Sequence, residues 1–213
     1  MEIIKKTKTI EENEIQLIKL QGLANGKNIL IIGVFHGEEP QGEFLINKYL
    51  KENLLNIKNT LYFIPCLNPD GKSVNKRQNA NGIDLNRNFP TENWRRTENP
   101  EYFGGTMAGS EIETKFMIDV INTYKFDAIL SIHAPFKIVN YDGPAKELAE
   151  KISSITGYPV QADIGYPTPG SFGNYAGVER NIPVITLELD ENDTNEHLWE
   201  INKKVFDYLA FEF

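Results

Sequence analysis

The sequence predicts an α/β fold built on a mostly parallel sheet, and three observations carry that prediction. Short apolar runs near 28–35, 60–66, 127–132 and 182–189 alternate with stretches of helical period. The run Ile29-Leu30-Ile31-Ile32-Gly33-Val34 is apolar without interruption, as a strand covered on both faces must be. The 213 residues contain no internal repeat and no long low-complexity stretch, so one continuous domain, 1–213, is expected.

In chain order, residues 14–20 (Glu-Ile-Gln-Leu-Ile-Lys-Leu) alternate as a half-buried strand does. Asn25-Gly26 is a turn signal before the strand at 28–35. Pro40 suits the first turn of a helix, and Phe44, Leu45, Ile46, Tyr49 and Leu50 give that helix an apolar face. The strand at 60–66 ends in Leu67-Asn68-Pro69-Asp70-Gly71, a turn by composition. Lys72 to Gly109 has little periodicity and much Asn, Gly, Arg and Pro, a long loop of the kind that carries function. Ser110-Glu111-Ile112-Glu113 has the capping-box pattern and starts a helix running to about Tyr124. A strand at 127–132 leads into His133-Ala134-Pro135. Residues 144–156 read as helix, 161–177 as a Gly- and Pro-rich loop, Ile182 to Leu189 as a strand interrupted by Glu188, and 194–210 as an amphipathic helix.

A net charge of -8 with no basic stripe argues against nucleic acid as a partner. No apolar run is long enough to span a bilayer, which argues against a membrane. The first six residues, Met-Glu-Ile-Ile-Lys-Lys, show no secretory pattern, and the single cysteine, Cys66, has no partner for a disulfide. Both point to the cytoplasm, with Cys66 an inert thiol in an apolar run.

Chemistry gathers at strand ends. His36 and Glu39 follow the strand at 28–35, where open α/β sheets collect ligands, and Gly37 between them permits a tight backbone. Imidazole and carboxylate are both zinc ligands, and three protein ligands with an open water position make a catalytic zinc site. His133, at the end of another apolar strand, is the candidate third ligand; the competing reading is a histidine that only caps the strand. The chain has three histidines, and the remaining one, His197, belongs to the surface of the last helix. Glu188 is a carboxylate in an apolar run, costly unless partnered. A general base facing a metal-held water and a half-buried structural ion pair both fit it. In the central loop, Arg77 and Arg87 stand among amides around Ile83-Asp84-Leu85, a plausible anion clamp able to grip a carboxylate or steady an oxyanion.

His36-Gly37-Glu38-Glu39, Asn68-Pro69-Asp70-Gly71, Arg77 through Pro90, Ser131-Ile132-His133 and Glu188 occur in the order found in zinc carboxypeptidases of the carboxypeptidase A type, and the chain resembles that family over nearly its whole length. Asn88-Phe89-Pro90 with Asn93-Trp94, Gly109-Ser110-Glu111 with Glu113-Thr114, and Gly165 through Gly173 resemble its murein peptide amidase branch. The resemblance implies a three-layer α/β/α sandwich around a mixed, mostly parallel sheet and one zinc ion per chain. It implies His36, Glu39 and His133 as metal ligands, Glu188 as general base, and Arg77 as oxyanion stabiliser. It further implies Asn86 and Arg87 as holders of the substrate carboxylate, and Tyr166 as the tyrosine that closes over substrate. The implied substrate is a small wall peptide cut between γ-D-glutamate and meso-diaminopimelate. Two alternatives share these motifs in part: an N-acyl amino-acid hydrolase of the succinylglutamate desuccinylase/aspartoacylase type, and a D,L-carboxypeptidase of longer wall peptides.

Overall fold

A computed structural model of the chain describes residues 1–52 and 54–213. Its strands are β1 (Glu2–Lys8), β2 (Glu14–Leu20), β3 (Asn28–Gly33), β4 (Thr60–Ile64), β5 (Ala128–His133), β6 (Ile138–Asp142), β7 (Val160–Gln161) and β8 (Val184–Glu188). Its α-helices are α1 (Gln41–Tyr49), α2 (Pro69–Ser73), α3 (Ile112–Thr123), α4 (Lys146–Thr156) and α5 (Asn195–Phe211). The strands form one mixed sheet in the order β1-β2-β4-β3-β5-β8-β6-β7. The central four, β4, β3, β5 and β8, run parallel, and β2 and β6 join them antiparallel. Parallel strands buried on both faces explain the uninterrupted apolar runs: Ile29 through Ile32 have no exposed surface.

Each face of the sheet has its own core. On one side Ile29, Ile31, Leu130 and Leu187 pack against Leu45 and Tyr49 of α1, Ala149 and Ile152 of α4, and Val205 and Phe206 of α5. On the other Leu30, Ile32 and Ile129 pack against Phe116, Met117 and Val120 of α3 and against Phe172 and Tyr175. These are the three layers expected. No helix among the described residues is long and apolar enough to cross a membrane.

The topology places a crevice where the site was expected. From β3 the chain crosses to β4 on one side, and later returns to lay β5 on the other. Connections leaving β3 and β5 therefore diverge, opening a gap at their carboxyl ends. The turn out of β3 is strained: Val34, β-branched and fully buried, has φ of 55°. Asn68 holds it, its backbone N–H donating to Val34 O at 3.0 Å and its side-chain amide to Phe35 O at 3.3 Å. Gly37 then lies against the backbone of Gly71 and Lys72 with no room for a Cβ.

Two local expectations are corrected. Residues 67–71 are not merely a turn: Asn68 Oδ1 accepts from Gly71 N at 2.9 Å and caps α2, with Pro69 in its first turn. The capping box at 110–113 does not form. Helix α3 starts at Ile112 without a side-chain cap, because Ser110 donates to Glu111 and accepts from Asn88 while Glu113 turns inward. Strands β1, β6 and β7 and the π-helical turn Gly173–Val178 also went unforeseen. Glu113 is 2% exposed, with Oε2 accepting from Asn79 and Oε1 unpartnered, and burial pushes its carboxyl up to about 7.

A carboxyl raised by folding stabilises the fold only while it is neutral. Its contribution is complete below about 4.5, where the unfolded group titrates, and is lost as the pH rises through about 7. Glu113→Gln is therefore expected to melt higher than the parent at pH 8 and with it at pH 4.5. The same gap at both values in a calorimetric scan would contradict this placement.

Candidate metal centre and its cleft

His36 stands three residues past the end of β3, Glu39 just before α1, and His133 is the last residue of β5. The three side chains meet. His36 Nδ1 lies 2.7 Å from Glu39 Oε1 and His133 Nδ1 lies 3.0 Å from Glu39 Oε2. One ligand atom from each lies within 4.8 Å of the others, and all three residues are buried. Two imidazole nitrogens facing the two oxygens of one carboxylate form a donor set that fits zinc. The imidazoles are oriented from behind. His133 stacks on Phe35 at 5.3 Å, and the other nitrogen of His36, Nε2, lies 3.3 Å from Asp84 Oδ1.

Asp84, which has no standing of its own in the sequence motif, joins the cluster from behind. It has no exposed surface, and its Oδ2 accepts from Arg77 Nε at 3.0 Å and pairs with Nη2 at 2.9 Å. Its Oδ1 also accepts from Asn86 N at 2.9 Å, capping the short turn Leu85–Arg87. One carboxylate thus sets His36, Arg77 and Asn86 together. Its sequence signals were its place between two apolar residues and two arginines and within the Arg77-to-Pro90 motif.

The charges are mutually supporting. Burial alone would raise the Glu39 and Asp84 carboxyls, but the adjoining imidazoles, with Arg77 beside Asp84, hold both far below the usual range. Burial would lower His36, but Glu39 and Asp84 outweigh it and push it up to about 9 in the metal-free protein. A cation entering the centre therefore displaces a proton.

Glu188 ends β8 in register with His133 on β5. It is 7% exposed, with Oε2 unpartnered. Burial raises its carboxyl, against the pull of His133. No basic residue pairs with it among the described residues, so the structural ion-pair reading finds no support. Arg87 is buried, not solvated, and donates to Asn86 O at 2.7 Å. Asn86 Oδ1 accepts from Phe172 N at 2.9 Å, which binds the central loop to the Gly-Ser-Phe segment. Tyr166 stands at the rim, 38% exposed, its ring 6.4 Å from that of Tyr102.

All eight expected site residues (His36, Glu39, Arg77, Asn86, Arg87, His133, Tyr166 and Glu188) line one cleft of about 560 Å³. Tyr102, missed in the sequence for want of any periodic signal, joins them and lies under both guanidinium groups, at 5.3 Å and 5.5 Å. His197 is outside, paired with Asp193 on the surface.

The sequence profile of the zinc carboxypeptidase family matches residues 1–151, from β1 into α4. The chain belongs to the zinc carboxypeptidase family. It is 30% identical over 185 residues to murein peptide amidase A of Escherichia coli K12, covering 81% of this chain and 75% of that protein. The crystal structure of the murein-tripeptide amidase MpaA from Escherichia coli O157 superposes with a TM-score of 0.83 at 26% identity, over 95% of this chain and 88% of that one. Carboxypeptidase A from Helicoverpa armigera shares the fold, with a TM-score of 0.76 at 15% identity, over 96% of this chain and 66% of that one. The zinc carboxypeptidase profile spans the His36, Glu39 and His133 positions and stops before Tyr166 and Glu188, which line the same cleft. As a member of the family, this chain is a zinc-dependent metallopeptidase, a hydrolase.

Asp84→Asn is expected to weaken zinc binding by about 10- to 100-fold, since the carboxylate behind a metal-ligating imidazole fixes and strengthens it. Competition with a chelator measures this; unchanged zinc affinity would remove Asp84 from the account.

Proposed function

We propose that residues 1–213 act as one catalytic domain that hydrolyses the amide between γ-D-glutamate and meso-diaminopimelate in small wall peptides. The observation that carries the reading is the unpartnered Glu188 oxygen beside the His36–Glu39–His133 cluster, in a cleft that also holds the buried Arg87 and the half-buried Arg77. The murein peptide amidases among its relatives support the choice of substrate.

His36, Glu39 and His133 would hold the metal. A zinc ion held there would supply Lewis acidity and lower the pKa of the attacking water toward neutrality. Glu188 would act as the general base for the attacking water and then as the proton donor to the leaving nitrogen. Its raised pKa suits both halves of the transfer. Arg77, held between Asp84 and the Glu39 side of the centre, faces the charge that develops on the carbonyl oxygen. Asn86 and Arg87 grip the free carboxylate of the substrate and fix its register. Tyr166 closes the rim over it.

A place in the cytoplasm and in wall-peptide recycling belongs to the same reading, and an unpaired cysteine is in keeping with it. Cys66 has no disulfide partner, and burial pushes its thiol up to about 12, beyond ready reaction.

Incubating the zinc-loaded enzyme with L-Ala-γ-D-Glu-meso-diaminopimelate should release diaminopimelate, read by mass. Cleavage of N-acyl amino acids in preference to the tripeptide would overturn the assignment. Glu188→Gln should lower kcat by about 10²- to 10⁴-fold while leaving the zinc content at one per chain. Near-normal turnover in that variant would remove Glu188 as the base.

A further inference from the structure

Arg87 is a buried cation without a counter-ion. It is 6% exposed, its Nη1 donates to Asn86 O at 2.7 Å, and no carboxylate forms an ion pair with it among the described residues. A charge held away from water is costly unless something answers it. Arg77 differs: Asp84 takes its Nε and Nη2 at 3.0 Å and 2.9 Å, which fills one edge of the guanidinium and leaves its faces. Both cations line one cleft, where like charges repel.

Tyr102 answers both. Arg77 Cζ stands over its ring at 5.3 Å from the centroid, and Arg87 Cζ at 5.5 Å. An aromatic face is electron-rich and attracts a cation within about 6 Å, most strongly where water is excluded. The ring offsets two positive charges without occupying the N–H groups that a carboxylate or an oxyanion needs.

The chain fastens this ring in place from both sides. Asn99 caps the turn Pro100–Tyr102, its side chain accepting from Glu101 N at 3.1 Å. Gln78, next to Arg77, donates its side-chain amide to Glu101 O at 2.9 Å and to Pro100 O at 3.3 Å. After the ring, Asp84 N donates to Phe103 O at 2.8 Å, and Gly104 lies so close to the Arg87 backbone that no Cβ fits. Residues 99–104 are thereby tied to the loop that carries both arginines. Tyr102 is half-buried and lines the cleft, yet it takes no part in the proton transfers assigned to Glu188.

We propose that Tyr102 is a positioning residue: its ring holds the Arg77 and Arg87 guanidinium groups at a fixed spacing, so that one substrate meets the oxyanion donor and the carboxylate grip at once. The inference rests on the roles given to Arg77 and Arg87 and adds the group that sets them relative to each other. Through Arg77 the ring acts on turnover; through Arg87 it acts on binding of the substrate carboxylate.

Two variants divide the ring from the hydroxyl. Tyr102→Leu keeps apolar bulk and removes the aromatic face; Tyr102→Phe keeps the face and removes the hydroxyl. In zinc-loaded enzyme acting on L-Ala-γ-D-Glu-meso-diaminopimelate, Tyr102→Leu is expected to lower kcat and raise KM, each by about tenfold, with zinc still at one per chain. Calorimetric titration with meso-diaminopimelate, which carries the carboxylate and undergoes no chemistry, should show binding weakened by about tenfold as well. Tyr102→Phe should bring all three back to within about threefold of the parent. Tyr102→Met replaces the leucine variant should that one not fold. A folded variant without the ring that keeps the parental kcat and KM overturns the proposal, as does a loss confined to one of the two constants. Tyr102→Phe impaired as deeply as Tyr102→Leu overturns it too, by placing the effect in the hydroxyl. Failure to cleave the γ-linked tripeptide would defeat the wall-peptide reading alone; the same constants on whichever peptide with a free terminal carboxylate is cleaved would still decide Tyr102.

Discussion

Two imidazoles share one carboxylate in the interior of this protein. His36 and His133 each face a different oxygen of Glu39, and none of the three is more than 7% exposed. Burying such a cluster costs free energy unless its charges answer one another and a second layer of polar groups answers them. Asp84 supplies that layer. It contacts His36, pairs with Arg77 and caps the turn that carries Asn86 and Arg87. The electrostatics of the His36–Glu39–His133 cluster and the geometry of the turn that carries Asn86 and Arg87 are thereby set by the same residue.

The fold brings these groups together because it changes direction at β3. With β4 on one side and β5 on the other, the connections diverge, and His36, His133 and Glu188 come from or just beyond the carboxyl ends of three adjacent strands. The exit from β3 is bent through a left-handed Val34, an arrangement that costs of order 1–3 kcal/mol and persists where surrounding contacts enforce it. Asn68 does the enforcing, which gives the Asn-Pro-Asp-Gly segment a role more specific than a surface turn.

What the sequence made legible follows from where the signals are strong. β2 at 14–20, β5, β8 and the last helix were readable because burial on one or both faces imposes a pattern. β1 and β6 were not. β1 is an edge strand with exposed residues, and β6 carries Asn140, Tyr141 and Asp142 because one of its faces lines a wet cleft. The capping box at 110–113 misled because Glu113 is needed inside, against Asn79. The eight site residues were found through spacing and family resemblance together, and they converge on one cleft. Asp84 and Tyr102 escaped, since each takes its meaning from partners across the fold: 36 and 77, or 77 and 87.

Zinc-edge anomalous scattering from crystals of the zinc-loaded protein tests the shared carboxylate most directly. The account predicts one strong peak, about 2.0–2.2 Å from His36 Nδ1, His133 Nδ1 and a Glu39 oxygen. A zinc peak elsewhere in the molecule, or one that either imidazole turns away from, would contradict it.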